Sequence, residues 1–233
     1  MRFDLITLFP EMIQPVLNTG IFARAHSNDA CNYFVHNLRE WSNDMNGRVD
    51  DRPFGGGPGM LIKCQPIHDA VISIQKLSNS IPRKILLTPQ GKKFNQEYAE
   101  NLSKEKHLLI LSGHYEGIDE RVINELQFEE ISIGDFILSG GELPSLVLTD
   151  AVTRLLPKAL GDPKCAIFDS FSNRSSLHPN GLLEGPQYTR PRVWRNHEVP
   201  NVLLNGNHAK IASWQKSQSL TRTKERRPDL LSN

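Results

Sequence analysis

Residues 107–117, His-Leu-Leu-Ile-Leu-Ser-Gly-His-Tyr-Glu-Gly, indicate the fold class of this sequence. They begin as a short apolar run of strand length and end as a polar loop bounded by glycines. The same order, an apolar run and then a loop containing glycine or proline, recurs at 84–91 and 128–135. Helix-like stretches at 95–104 and 118–126 lie between these runs. The alternation predicts an α/β domain with a mainly parallel sheet.

The rest of the chain extends this pattern. Further strands are expected at 2–9 and 31–38, and further helices at 65–76, 142–156, 207–216 and 218–226. Pro10 is well placed to open the helix after the first strand, because its fixed φ suits the first helical position. The helix at 142–156 is apolar over more than one face, which indicates that a second surface is also buried.

The composition is that of a globular chain. Of 233 residues, 38% are hydrophobic and 23% are charged, which excludes collagen-like, coiled-coil and wholly disordered proteins. No run approaches the roughly 18–20 apolar residues needed to span a bilayer. The N-terminus has an acid inside its first apolar stretch and lacks the layout of a signal peptide. We therefore expect a cytoplasmic protein that does not bind membranes.

Cysteine and histidine usage argues against a protein metal site. Cys31, Cys64 and Cys165 are odd in number and far apart, a pattern typical of neither a disulfide framework nor a zinc site. The eight histidines are equally scattered. We expect these side chains to pack or hydrogen-bond, with no metal bound by the protein.

Charge is distributed unevenly along the chain. Residues 185–233 hold 9 Lys or Arg against 3 Asp or Glu, whereas 1–184 hold 18 against 23. An acidic body with a basic C-terminal segment favours a nucleic-acid partner, although a solvated helix surface would give the same count. Residues 161–180 are rich in serine and asparagine, show no period, and resemble an interdomain linker. We expect domains at 1–160 and 181–233, joined by a flexible linker over 161–180.

Two glycine clusters, 55–59 and 140–141, permit close approach of backbone to a ligand. Neither has the spacing of a dinucleotide fingerprint or a phosphate loop, so each alone could be an ordinary surface turn. The loops that begin at Leu87, Leu111 and Ile133 follow three predicted parallel strands, and ligands bind at the carboxyl ends of such strands. The sequence therefore predicts a small-molecule pocket, without identifying the molecule.

Longer motifs resemble one family. They are Asp50-Asp-Arg-Pro-Phe-Gly-Gly-Gly-Pro-Gly-Met60, Gly113-His-Tyr-Glu-Gly-Ile-Asp-Glu-Arg121, Ser132-Ile-Gly-Asp-Phe-Ile-Leu-Ser-Gly-Gly-Glu-Leu-Pro144, Gln187-Tyr-Thr-Arg-Pro191, Leu204-Asn-Gly-Asn-His208 and Arg226-Arg-Pro-Asp-Leu-Leu231. In this order they resemble the bacterial tRNA (guanine-N1)-methyltransferases. The resemblance runs from Phe3 to Leu231, which is essentially the whole chain.

The resemblance implies a SPOUT-class domain whose later strands thread a trefoil knot. It also implies S-adenosylmethionine as methyl donor, and a homodimer with active sites at the subunit interface. Cofactor contacts are implied for three loops: Thr88 and Pro89; Gly113, Tyr115 and Glu116; and Ile133, Gly134, Asp135, Phe136, Ile137, Leu138, Gly140 and Gly141. Family members often have Tyr where this chain has Leu86 and Phe136, and Ser at Thr88.

The same resemblance implies the target, N1 of the guanosine immediately 3′ of the tRNA anticodon, position 37. Guanine N1 is a poor nucleophile until its proton leaves, and Asp169 matches the family's general base. Negative charge then grows on O6, and Arg154 matches the group that stabilises it. Without the family, Arg154 would be read as a structural ion-pair partner and Asp169 as a turn residue. The implied tRNA-side residues are Asp50, Gly57, Gly59, Arg190, Arg192, Arg226 and Arg227.

Two other functions fit parts of the pattern. A non-catalytic RNA-binding protein would keep the fold but would have no need of Asp169, Arg154 and the loop glycines together. Another SPOUT methyltransferase would act on a different base or RNA, but most relatives lack the C-terminal motifs. Mg²⁺ could assist loss of the N1 proton, although no carboxylate cluster in the sequence identifies a site. No DNA partner is expected.

Overall fold

The computed structural model describes residues 1–162, 164–172, 175 and 181–231, without the side chain of residue 164. Within this part the chain divides into two compact units, Met1–Gly161 and Asp162–Asn233.

The first unit alternates strands and helices. In chain order its elements are β1 (Arg2–Thr7), α1 (Pro10–Leu17), α2 (Gly20–Ser27), β2 (Asn32–Asn37), a 3₁₀ turn (Leu38–Trp41), β3 (Asp50–Asp51), β4 (Leu61–Ile62), α3 (Cys64–Ser78), β5 (Arg83–Lys93), α4 (Gln96–Leu102), β6 (His107–Ser112), α5 (Glu120–Leu126), β7 (Glu129–Ser132) and α6 (Glu142–Thr153). Pro10 occupies the start of α1, as the sequence predicts.

Five strands form one sheet in the order β2-β1-β6-β5-β7, and every pairing is parallel. Strand β6 lies in the middle and is buried along its whole length. Its alternate residues serve two cores: Leu108 and Ile110 pack with helices α1, α2, α4 and α6, and Leu109 and Leu111 pack with α3 and α5. Helices cover both faces, which explains why β6 is a continuous apolar run from Leu108 to Leu111. The predicted α/β class with a mainly parallel sheet is confirmed.

Strand β5 differs from its prediction. It continues to Lys93, with a shift in its pairing to β7 between Leu87 and Lys92. The irregular stretch at 88–91 is the loop that sequence analysis placed after a shorter strand. A Cβ at Gly91 would lie 2.3 Å from the backbone nitrogen of Ile131, so only glycine fits where this stretch crosses β7.

A charged cluster lies at the amino ends of the central strands. The Asp4 carboxylate is fully buried and accepts hydrogen bonds from Arg2 at 2.6 Å, His36 at 2.6 Å and His107 at 2.7 Å. His107 also bonds through Nδ1 to the Ser80 hydroxyl at 2.7 Å. Burial alone would raise the pKa of Asp4, but the hydrogen bonds from His107, His36 and Arg2 outweigh it and hold that pKa below its usual range.

The second unit is largely helical. Its elements are α7 (Lys164–Phe168), β8 (Val193–Trp194), β9 (His197–Glu198), α8 (Asn201–Leu204), α9 (His208–Arg226) and a 3₁₀ turn (Pro228–Leu231). The prediction of two helices at 207–216 and 218–226 is wrong: α9 is continuous, because no proline or glycine interrupts its residues. Helix α7 lies within the stretch predicted as linker. Residues 163, 173, 174 and 176–180 of that stretch lie outside the described residues.

No helix in the described part of the chain is long and apolar enough to cross a membrane.

Candidate cofactor pocket and catalytic residues

The irregular stretch within β5 and the loops after β6 and β7 line a cavity of about 420 Å³ in the first unit. Its walls include the predicted cofactor residues Thr88, Pro89, Gly113, Tyr115, Glu116, Ile133, Gly134, Phe136, Ile137, Leu138, Gly140 and Gly141. The cavity lies at the carboxyl ends of parallel strands, where α/β sheets bind ligands, and its size suits a nucleoside-sized molecule.

The loops after β6 and β7 touch backbone to backbone. The amide of Gly141 donates to the carbonyl of Gly113 at 2.7 Å. A Cβ at Gly141 would lie 2.7 Å from both the amide nitrogen of Gly113 and the Cα of Ser112. Real Cβ atoms do not approach backbone so closely, so glycine at 141 is required for the two loops to meet.

A buried carboxylate lies directly after Gly141 in the chain. Glu142, the first residue of α6, is 2% exposed and accepts a hydrogen bond from the Thr7 hydroxyl at 2.8 Å. Its Oε2 lies 3.9 Å from Nδ1 of His114, which also lines the cavity. A Cβ at Gly140 would collide with both side chains, at 2.4 Å and 2.5 Å. Glycine at 140 therefore makes room for the His114–Glu142 pair.

The loop after β7 presents apolar side chains. Phe136, Ile137 and Leu138 are 54%, 79% and 40% exposed. Asp135 is not part of the cavity wall; its carboxylate pairs with Lys93 at 3.0 Å, with both side chains largely exposed. The structure therefore brings all predicted cofactor residues except Asp135 to one cavity.

The glycine cluster at 55–59 lies against the loop after β6. The amide of Glu116 donates to the carbonyl of Met60 at 3.0 Å. A Cβ at Gly59 would lie 2.3 Å from Cγ of Glu116, whereas Gly57 has open space around it. Asp50 pairs with Ile62 across β3 and β4. The predicted target-base side thus borders the cavity through Gly59 and Glu116.

The predicted catalytic residues belong to different units. Arg154 ends α6 in the first unit, where its amide donates to the carbonyl of Asp150 at 3.1 Å. Burial raises the pKa of Asp150, and the positive charge of Arg154 offsets part of that rise. Asp169 directly follows α7 in the second unit, is half-buried, and accepts a bond on its carbonyl from the Ser172 amide at 3.3 Å.

The predicted tRNA-side arginines of the second unit, Arg190, Arg192, Arg226 and Arg227, are all exposed. Two of them also make contacts within the unit. Arg192 donates to the side chain of Asn201 at 3.2 Å, and Arg227 forms a two-bonded ion pair with Asp229 at 2.9 and 2.6 Å. The Arg227 guanidinium also lies 5.7 Å from the ring centre of Phe171.

Within residues 1–162, 164–172, 175 and 181–231, no group of three or more His, Cys, Asp and Glu side chains is arranged to hold a metal ion. Mg²⁺ therefore has no identified ligands in that part of the chain.

The family of this chain follows from its similarity to known proteins. A family model described as tRNA (Guanine-1)-methyltransferase TrmD matches residues 1–233. The chain belongs to this family.

Several relatives in the tRNA (guanine-1)-methyltransferase family are about half identical to this chain. A tRNA (guanine-N(1)-)-methyltransferase of Halalkalibacterium halodurans is 51% identical over 231 residues, covering 99% of this chain and 91% of the relative. The enzyme of the same name from Bacillus subtilis is 50% identical, covering 99% and 92%. That of Ruminiclostridium cellulolyticum is 50% identical, covering 99% and 96%. The resemblance read from the sequence motifs is confirmed.

Two residues at the cavity were not predicted from the sequence of this family member: His114, which lines it, and Glu142, which lies beside His114. His114 stands inside the quoted Gly113–Gly117 motif, and Glu142 directly follows Gly141, yet neither was a predicted site residue. The signal for Glu142 was a charged residue at the first position of a largely apolar helix. Such a residue is either exposed to solvent or buried against a polar partner. Only the coordinates identify Thr7 as that partner.

Proposed function

We propose that this protein transfers a methyl group from S-adenosylmethionine to N1 of the guanosine at tRNA position 37, immediately 3′ of the anticodon. One observation carries the proposal: the irregular stretch of β5 and the loops after β6 and β7 form a glycine-lined cavity in a chain that belongs, over its whole length, to the tRNA (guanine-1)-methyltransferase family.

The cavity residues fit S-adenosylmethionine. Glycines at 113, 140 and 141 bring backbone to the cavity wall, where it can contact the adenine and ribose, and Pro89, Ile133 and Leu138 supply apolar wall. When bound, the cofactor would supply a methyl group on a sulfonium sulfur. The neutral thioether released on methyl transfer is a good leaving group. Asp135, which pairs with Lys93 outside the wall, is proposed as a contact at the rim.

Asp169 and Arg154 are proposed to activate the guanine. The Asp169 carboxylate accepts the proton of N1, which frees the nitrogen lone pair for methylation. Arg154 donates to O6, where negative charge grows as the proton leaves. Gly57, Gly59 and Asp50 are proposed to border the target base, since Gly59 lies against the cofactor loop at Glu116.

The two units are proposed to divide the work. Residues 1–160 would form the knotted cofactor domain, and 181–233 would bind tRNA, with 161–180 as the linker that carries Asp169. The exposed basic side chains of the second unit support this assignment: Arg190, Arg192, Arg195, Lys210, Lys216, Lys224, Arg226 and Arg227. The trefoil knot is proposed from membership of the family. Such a reaction would take place in the cytoplasm.

A homodimer is proposed, with each active site formed from both chains. Helix α6 buries Leu146, Leu148 and Val152 but leaves Leu143 53% and Val147 50% exposed, one turn apart. Exposed apolar side chains on a helix that also packs into the core suit a two-fold interface. A mixed dimer tests this: one subunit carries Gly134→Trp in the cofactor loop and the other Asp169→Ala. Activity restored in the mixed dimer supports sites shared between chains, whereas inactive, folded mixed dimers would contradict them.

The activity itself is tested by incubating the protein with S-adenosylmethionine and tRNAs that vary around the anticodon, and then mapping the modified base. We expect N1-methylguanosine at position 37 and no product when that guanosine is replaced. Methylation of another base would favour a different SPOUT reaction, and tRNA binding without any methylation would favour a non-catalytic RNA-binding protein.

A further inference from the structure

Two buried hydroxyl groups on α9 hold a neighbouring segment of the second unit. Ser219 donates to the carbonyl of Leu183 at 2.6 Å, and the amide of Leu183 donates to the hydroxyl of Thr223 at 3.0 Å. The two side chains stand one helical turn apart and are 1% and 0% exposed. Thr223 donates its own hydroxyl proton to the carbonyl of Ser219 at 2.8 Å. Both backbone groups of Leu183 are therefore bonded to side chains of one helix.

The segment held in this way contacts the residues next to Asp169. The amide of Glu184 donates to the hydroxyl of Ser170 at 3.0 Å. The amide of Phe171 donates to the carbonyl of Leu182 at 3.3 Å. Leu183 thus bonds to α9. The residues on either side of it, Leu182 and Glu184, bond to the two residues that follow Asp169. A continuous path of hydrogen bonds joins α9 to the segment of the proposed base.

The side chains of this path suit precise placement of Leu183 better than they suit a high free energy of unfolding. Serine and threonine are weaker helix formers than leucine or alanine, and a buried hydroxyl costs free energy unless it is bonded. Apolar side chains at 219 and 223 would bury well but would impose no direction on Leu183. Hydrogen bonds of 2.6–3.0 Å fix both distance and angle. The outer surface of the same helix carries the exposed basic residues Lys216, Lys224 and Arg226.

We propose that Ser219 and Thr223 are positioning residues for Asp169, which couple the helix that contacts tRNA to the placement of the general base. This inference rests on the proposed function. A general base must lie within about 0.5 Å of its productive position, so loosening Leu183 should slow proton removal while leaving the RNA contacts in place.

The test uses full-length Thr223→Val and Ser219→Ala, with the exposed residues of the same helix as matched controls, Thr221→Val and Ser217→Ala. At saturating tRNA and S-adenosylmethionine, each buried variant should lower the single-turnover methylation rate about tenfold, the effect of one lost hydrogen bond. The tRNA dissociation constant should stay within about twofold of wild type. Thr223→Ser, which keeps the hydroxyl, should restore the rate, and both controls should behave as wild type.

A double-mutant cycle separates positioning from general loss of structure. In an Asp169→Asn background, Thr223→Val should cause no further fall in the residual rate, because it acts only through the base. Additive losses would overturn the proposal, as would rate and tRNA affinity falling together in both buried variants, or unchanged rates in both. If Thr223→Val has a much lower melting temperature, Ser219→Ala decides the matter in the same assays. Absence of methylation by the wild-type protein would instead reject the proposed function.

Discussion

The amide of Gly141 donates to the carbonyl of Gly113 across 2.7 Å, and this bond joins the two loops that form most of the cavity. The loops come from positions almost thirty residues apart, on either side of α5 and β7. Their contact leaves no space for a side chain at residue 141. The shape of the cavity therefore depends on glycine at 141, because a Cβ there would push the two loops apart.

Gly141→Ala should reduce S-adenosylmethionine affinity by at least about tenfold, because its Cβ must push the backbone of Ser112 and Gly113 away. Isothermal titration with S-adenosylmethionine measures the change. Gly161→Ala is the control, since its Cβ would meet only the end of the Arg24 side chain at 3.4 Å. Equal affinities for wild type and Gly141→Ala would show that the loop contact does not shape the site.

Asp169→Asn should reduce single-turnover methylation by roughly 10²–10⁴-fold, because the amide cannot accept a proton at neutral pH. Cofactor affinity should be unchanged, since Asp169 belongs to the other unit. Asp162→Asn, the same change at an exposed acid before α7, serves as control. A near-wild-type rate for Asp169→Asn would remove this residue from the mechanism.

Arg154→Lys should also be severely impaired, because an ammonium group cannot reproduce the planar two-donor edge of a guanidinium. Single-turnover kinetics at saturating substrates would measure the loss, which we expect to reach about a hundredfold. Arg24→Lys at an exposed site controls for the substitution itself. If Arg154→Lys retained full activity, O6 would have to be stabilised by another group.

Binding of tRNA should weaken steeply with salt. Each phosphate contact contributes about one unit or less to the slope of log affinity against log salt, so Lys216→Gln should reduce that slope by this amount. Filter binding from 50 to 300 mM salt, roughly the range over which phosphate contacts are screened, gives the slope. A protein ending at Gly161 should lose most of its tRNA affinity; undiminished binding would contradict the assignment of RNA contacts to the second unit.

The Asp4 cluster predicts a specific pH dependence of stability. Its folded-state pKa is depressed, so the stabilisation is present above the unfolded pKa of about 4 and is lost as pH falls toward the folded value. Asp4→Asn should cost about 3 kcal/mol near pH 7, because His36, His107 and Arg2 lose a buried carboxylate partner. Urea unfolding from pH 7 to 3 should show the difference from wild type narrowing below about pH 4. Asp29→Asn, on the surface, should show no such trend.

Much of the first unit could be predicted from sequence because its strands are buried on both faces and its loops carry glycine. Residues such as Leu108 and Leu109 serve opposite cores, which produces the continuous apolar run that marked β6. The continuation of β5 to Lys93 could not be predicted, since its polar residues pair with β7 only through an irregular stretch. The role of Gly141 needed coordinates, because close approach depends on a partner far away in sequence.

The second unit was less predictable for a physical reason. Helix α9 buries hydroxyl groups, so its sequence lacks the apolar periodicity that identifies a packed helix. Its interruption near residue 217 was inferred from that weak pattern, although nothing there breaks a helix. Helix α7 has only five residues, too few to generate a period. Asp169 could be singled out only by family resemblance, since residues 182–184, which bond to its neighbours Ser170 and Phe171, come later in the chain.

The closeness of Gly59 and Glu116 has an evolutionary consequence. A β-carbon at residue 59 would overlap Cγ and the carboxylate of Glu116, and the backbone at 59 has a φ of +80° that disfavours other residues. Two positions 57 apart in the chain are therefore constrained jointly. Shortening residue 116 would remove the overlap but would leave the positive φ at 59, so any other residue at 59 is strained even then, and loss of this glycine cannot be compensated at residue 116 alone.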